Sequence, residues 1–253
     1  MLKLVDVCTY YGTIQVLYDV SLEVKQGSAV AVLGRNGMGK TTTVHSIVSF
    51  TPPRSGAVCF KGETITSLRP YQIAQMGLAL VPQGRRIFTS LSVEENLIMG
   101  ARREEKKAYS LEMIYSLFPI LKVRKQLKAS SLSGGEQQIL SIGRALMTNP
   151  DMLLMDEPTE GLAPVIIQEL GGIIDKLKGA GISILLVEQN AAAALAISNY
   201  AAVMENGRIV LDGTPEKLIS HEDVREFYLG ILGEEEKGYR DVKQYTRTRR
   251  WWG

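Results

Sequence analysis

Cysteine and histidine are scarce in this chain of 253 residues, with two of each. Cys8 and Cys59 form neither a CxxC pair nor a metal-ligand spacing, which excludes a zinc module and a disulfide framework and makes a reducing cytosol the default compartment. No apolar run approaches the about 18 residues that cross a bilayer, and no charged-then-apolar leader opens the sequence, so any service to a membrane is expected from outside it. The net charge is only +2, too small to mark a nucleic-acid binder. No internal repeat and no low-complexity tract occurs. An Asn-Lys-x-Asp stretch, which would read a guanine base, is also missing.

What is present is ordinary globular material, 45% hydrophobic and 22% charged, organised around one stretch. Gly34-Arg35-Asn36-Gly37-Met38-Gly39-Lys40-Thr41 follows the apolar run Ala29 to Leu33 and precedes Thr42 to Ser49. Strand, glycine-rich loop and helix are the context that a phosphate loop requires. The glycines let consecutive backbone N–H groups turn inward, and with the positive end of the following helix they cup a polyphosphate. Lys40 adds a charge for the β- and γ-phosphates, and the Thr41 hydroxyl reaches a Mg2+ ion.

Around this centre the chain alternates strands and helices. Val16, Tyr18, Val20, Leu22 and Val24 alternate as a half-buried strand. Leu2 to Val7 reads as an edge strand and Tyr10-Tyr11-Gly12 as a turn, where a tyrosine serves either as core filler or as an aromatic platform for a base. Leu78 to Val81 is a buried strand ending at Pro82-Gln83-Gly84, and Gln83 is either a loop residue or a metal or water ligand. Residues 92 to about 128 change to helix, opened by the capping box Ser92-Val93-Glu94-Glu95. The Arg102 to Lys107 charge run reads as a solvated linker, and Tyr109 to Phe118 as a second helix. Ser133-Gly134-Gly135-Glu136 opens a further helix, either as an ordinary cap or as a second anion-binding helix start.

Met152 to Met155 ends in the carboxylates Asp156 and Glu157. Beside a phosphate loop, Asp156 is expected to hold Mg2+ through water and Glu157 to polarise an attacking water. Pro164 to Lys178 is helix, Ile182 to Val187 strand, and Tyr200 to Leu211 a hairpin turned by Asn206-Gly207. An amphipathic stretch, Val224 to Leu232, closes the fold. Beyond it, residues 233–253 carry Arg247, Arg249, Arg250, Trp251 and Trp252, read as a disordered tail with lipid headgroups as the alternative contact.

The phosphate loop, Gln83, the segment Leu132 to Gln137 and Leu153-Leu154-Met155-Asp156-Glu157-Pro158, in that order, resemble the ATPase subunits of ATP-binding-cassette transporters. The resemblance covers residues 1–232. It implies an α/β phosphate-loop ATPase core with a mostly parallel sheet, an N-terminal antiparallel β-subdomain, and a helical subdomain insert at about 88–148. It also implies ATP and Mg2+ as cofactors. The ATP site would comprise residues 34–42, Gly34 through Thr42, with Tyr11 stacking on adenine. Mg2+ would be held by Thr41, Gln83 and Asp156, and Glu157 would be the catalytic base. Ser133, Gly134, Gly135 and Glu136 would face the γ-phosphate held by a second ATPase subunit, identical or related. Two integral membrane permease subunits and an extracytoplasmic solute-binding protein complete the implied assembly. Its place is peripheral, on the cytoplasmic face of the plasma membrane, and no nucleic acid is expected.

Val81 to Phe88, Glu160 to Pro164 and Leu186 to Asn190 look like the branched-chain amino acid uptake subfamily. Departures accompany them: Gln189 stands where the general family has a switch histidine, and Ala163 where it has an aspartate. Gln189 hydrogen-bonds a phosphate or water but carries no proton. Gln83, where the subfamily often has Glu, leans toward a urea and short-amide branch. A soluble cassette ATPase acting on nucleic acid or ribosomes is the competing class, against which stand the single cassette and the lack of a long insertion.

Overall fold

A computed structural model describes residues 1–101 and 109–227. The Arg102 to Lys107 run and the basic-aromatic tail lie outside the described residues. In chain order, β1 (Leu2–Tyr11) and β2 (Ile14–Val24) form a hairpin, β3 (Ala29–Leu33) leads into α1 (Lys40–Ile47), and β4 (Ser55–Phe60) and β5 (Glu63–Thr64) follow. Next come α2 (Pro70–Gln75), β6 (Leu78–Val81), α3 (Val93–Met99), α4 (Leu111–Leu117), α5 (Pro119–Val123) and α6 (Gly134–Leu146). The remainder alternates: β7 (Met152–Asp156), α7 (Pro164–Gly179), β8 (Ser183–Glu188), α8 (Ala191–Ile197), β9 (Tyr200–Glu205), β10 (Arg208–Gly213), α9 (Pro215–Ser220) and α10 (Glu222–Phe227).

Among the described residues the strands make two sheets. One is antiparallel, in the order β2-β1-β4-β5; the other has the order β10-β9-β3-β8-β7-β6 and is parallel except for the β9–β10 edge. The central strands read as continuous apolar runs because both faces are covered. Ala29, Ala31 and Leu33 join Leu153, Met155, Ile184 and Leu186 in a core shared with the helices α6, α7 and α8. Val30 and Val32 join Met152, Leu154, Leu185 and Val187 in a second core beneath the antiparallel sheet. Parallel strands with covered faces leave their carboxyl ends as the open edge, which is where ligands bind in such sheets. Gly34, Gln83, Asp156 and Gln189 all lie at or just beyond those ends.

Several sequence expectations need correction. The first strand runs through Tyr10 and Tyr11, and the turn is Gly12-Thr13. The regular alternation over Val16 to Val24 breaks: Val20, Leu22 and Val24 are buried, but Leu17, not Val16 or Tyr18, fills the core. Two extra residues in β2 cause this. Between the pairs Val7↔Val20 and Thr9↔Leu17 one residue of β1 faces two of β2, including Asp19 at φ 52, and between Thr9↔Leu17 and Tyr10↔Gln15 the extra residue is Val16. Each bulge shifts the side-chain parity and re-aims its residue. The stretch after Asn190 is a helix, α8, capped by the Asn190 side chain accepting from Ala193 N–H at 3.1 Å; alanine-rich segments carry no amphipathic period to betray them. The short α9 likewise escapes the sequence reading. The closing stretch is helical as α10, and its continuation to Leu232 lies outside the described residues.

Candidate functional site

The phosphate loop begins where Gly34 N–H donates to the Glu188 carbonyl at 3.2 Å, tying β3 to β8. It ends at Gly39, whose φ of +104 places it in the left-handed region; a Cβ there would lie 2.9 Å from the Leu17 side chain, so only glycine fits. No side chain caps α1, which leaves its first N–H groups for a ligand. Asn36, Gly37, Gly39, Lys40, Thr41 and Thr42 line a cavity of about 300 Å³ together with Val16, Gln83 and Glu157. Arg35 and Asn36 are exposed at the loop tip, and Met38 is half-buried.

Lys40 is 4% exposed. Its Nζ donates to the Arg35 carbonyl at 3.1 Å and lies 3.0 Å from Glu157 Oε1. The other Glu157 oxygen accepts from Gln83 Nε2 at 2.9 Å, and the same amide donates to Glu160 Oε2 at 3.2 Å. Glu157 holds a φ of +49, uncommon for a residue with a Cβ. Its N–H donates to the Val187 carbonyl at 2.9 Å, an extension of the β7–β8 pairing past the end of the strand.

Thr41 Oγ1 donates to Asp156 Oδ1 at 3.1 Å. Burial pushes the Asp156 carboxyl up to about 6, the Thr41 hydrogen bond pulls it down, and the nearby Glu157 charge pushes it up. The Asp156 carboxyl and the Thr41 hydroxyl are adjacent oxygen donors, which suits a hard divalent cation. No cluster of three or more His, Cys, Asp or Glu residues arranged for a metal occurs among the described residues.

The second helix start is built as the capping box expects. Glu136 N–H donates to Ser133 Oγ at 3.3 Å and Ser133 N–H donates to Glu136 Oε2 at 2.8 Å. Glu136 Oε1 lies 3.3 Å from Arg124 Nε, so both its oxygens are engaged within the chain; the Ser133 N–H above all holds this carboxyl below its usual range. Ser133, Gly134, Gly135 and Glu136 do not line the cavity around Lys40. Gly134 instead faces Arg85, whose guanidinium would sit 3.0 Å from a Cβ at that position.

The model described as ABC transporter matches residues 17–160 of this chain. The chain belongs to that family. It is 47% identical over 232 residues to the high-affinity branched-chain amino acid transport ATP-binding protein BraG of Pseudomonas aeruginosa, covering 91% of this chain and 100% of BraG. It is 37% identical to the probable branched-chain amino acid transport ATP-binding protein LivF of Archaeoglobus fulgidus, over 92% of this chain and 100% of LivF. Among solved structures, a nucleotide-free ATP-binding cassette from an ABC transporter superposes with a TM-score of 0.78 at 30% identity, covering 92% of this chain and 99% of the other. As an ABC transporter ATPase subunit, this chain binds and hydrolyses ATP. Its α/β core, antiparallel sheet and helical segment are those of the family's cassettes, and no helix among the described residues is long and apolar enough to cross a membrane.

Not every candidate residue of this ABC cassette converges on the cavity. Tyr11 is 47% exposed, paired with Ile14 at the tip of the β1–β2 hairpin, and Gln189 is exposed just past β8; neither lines the cavity. Conversely, Val16 lines the cavity, Glu160 accepts from Gln83 and the Glu188 carboxylate accepts from Thr159 N–H, none of them singled out from the sequence. Val16 is delivered by a bulge, which leaves no mark in composition. The Glu160 carboxylate, three residues beyond Glu157, was the one legible signal.

Proposed function

We propose that this chain is one of two ATPase subunits that meet head to tail and drive uptake of branched-chain amino acids through a membrane permease. The relation of Lys40, Glu157 and Gln83 across three strand ends carries the mechanistic part of this reading, and the 47% identity to BraG carries the solute. The phosphate-loop N–H groups and Lys40 hold the β- and γ-phosphates, Thr41, Asp156 and Gln83 hold Mg2+, and Tyr11 stacks on adenine. Mg2+ supplies charge neutralisation on the phosphate oxygens. Glu157, released from Lys40 as the phosphates take that charge, accepts a proton from the attacking water; the water oxygen bonds to the γ-phosphorus, the bridging P–O bond breaks, and ADP leaves with the electron pair. Gln189 donates to the γ-phosphate without changing charge.

Ser133, Gly134 and Gly135 of each subunit close over the nucleotide of the other, where the free N–H groups of α6 meet the γ-phosphate. Closure moves two permease subunits, to which the pair is bound on the cytoplasmic face of the membrane, and an extracytoplasmic solute-binding protein delivers the solute. The test is disruption of the chromosomal copy followed by uptake of labelled leucine, isoleucine, valine and urea. Loss of the three amino acids with urea unaffected is expected; loss of urea uptake alone would transfer the chain to the short-amide branch that Gln83 suggests.

A further inference from the structure

Glu188, the last residue of β8, is a buried carboxyl to which the mechanism above gives no work. It is 2% exposed, and burial pushes its pKa up while the Thr159, Asn190 and Gln189 donors pull it down. An acid in such a place is costly unless donors converge on it, and here backbone donors do. Oε1 accepts from Thr159 N–H at 2.8 Å and Oε2 from Gln189 N–H at 3.1 Å. Its own carbonyl accepts from Gly34 N–H at 3.2 Å. The phosphate loop, the turn that carries Glu157 and the segment that carries Gln189 are therefore fastened to a single residue.

The turn at Glu157 has most need of fastening. Glu157 sits at φ +49, a conformation that persists only where the surroundings enforce it. Its N–H is tied to the Val187 carbonyl, Pro158 has no N–H to offer, and Thr159 N–H is tied to Glu188. Both ends of the turn thus hang from adjacent residues of β8. Remove the Glu188 carboxylate and the far end has no replacement acceptor in place, so the Glu157 side chain loses the backbone orientation that aims it at Lys40 and at the cavity.

We infer that Glu188 is a positioning residue for hydrolysis, acting through Glu157 and Gln189 without touching the nucleotide. The inference rests on Glu157 being the base, as proposed above. Glu188→Gln keeps one acceptor oxygen and turns an NH2 toward the other donor; Glu188→Leu keeps the bulk and removes both. The expected result in steady-state Mg·ATP turnover is a kcat lowered about tenfold in Glu188→Gln, and about a hundredfold in Glu188→Leu, the range for losing hydrogen bonds to a charged acceptor. KM and the affinity for a fluorescent ATP analogue should stay within about twofold, because the phosphate-loop donors are untouched. Hydrogen exchange on the same proteins should show faster exchange at Thr159 and Gln189 with Leu185 and Leu186 unchanged.

Glu157→Gln is assayed alongside. If it retains the parental rate, the base assignment fails; if it is inactive while Glu188→Leu turns over like the parent, the positioning inference alone is overturned. A fall in kcat matched by an equal loss of nucleotide affinity, or by faster exchange along the whole of β8, also overturns it, since that is the mark of a merely structural plug.

Discussion

The buried ammonium of Lys40 lies 3.0 Å from the buried carboxylate of Glu157, so the two charges neutralise each other. With side chains only 3% and 7% exposed, neither charge has water to fall back on. Removing either partner would leave the other charge buried and unpaired.

Breaking the pair from one side should destabilise the nucleotide-free protein. Lys40→Met leaves a buried carboxylate without its partner, which typically costs about 3–5 kcal/mol. Lys40→Met combined with Glu157→Gln should recover much of that loss, because no unpaired charge remains. Urea unfolding of the two single variants and the double variant gives the coupling energy directly; additive losses would mean the two charges do not interact.

Turnover and binding should separate in Glu157→Gln. The amide keeps the shape and cannot accept the proton, so hydrolysis is expected to fall by at least about a hundredfold. ATP remains bound, and size-exclusion chromatography with Mg·ATP should show a dimer that the parent reaches only transiently. A Glu157→Gln protein that stays strictly monomeric under saturating Mg·ATP, even alongside its partner ATPase subunit, would contradict the head-to-tail arrangement.

Stability of the nucleotide- and Mg2+-free protein should fall as pH rises across the Asp156 titration. Burial raises this carboxyl from 3.8 to about 6, so the folded state holds its proton more tightly than the unfolded chain. The contribution is complete below about pH 4 and is lost as pH rises through about 6. Asp156→Asn should flatten that part of the curve. Urea midpoints collected from about pH 4 to about pH 7 decide it, and an unchanged slope in the variant would remove Asp156 as the cause.

Two glycines of the phosphate loop should respond differently to alanine. Both have positive φ, +82 at Gly37 and +104 at Gly39, but a Cβ at Gly37 meets nothing within 4 Å whereas one at Gly39 meets Leu17, Met204 and Gly207. Gly37→Ala should cost about 1 kcal/mol from backbone strain. Gly39→Ala adds an overpacked contact of about 1–3 kcal/mol more. Thermal unfolding ranks them, and equal midpoints would show that the packing around Leu17 yields freely.

Much of this was legible from residues close together in the chain. Gly34 to Thr41 declares its chemistry because loop, lysine and hydroxyl are contiguous. The Ser92 and Ser133 caps are readable because each box closes over three residues. Asn206-Gly207 turns its hairpin with both φ angles positive, as the dipeptide foretells. The β2 bulges were not legible, since an extra residue in a strand has no compositional signature. Nor was α8, whose alanines fit a helix without displaying a polar face.

Local order along the chain settled that a polyphosphate is gripped here, because backbone donors, positive charge and hydroxyl all come from one strand-loop-helix unit. What that grip is coupled to was decided by the lateral order β3-β8-β7-β6. Crossover connections carry the chain over the sheet, so strand neighbours are not chain neighbours, and only their pairing brings Glu157 to Lys40, Gln83 to Glu157, and the Glu188 carboxylate under the turn between them.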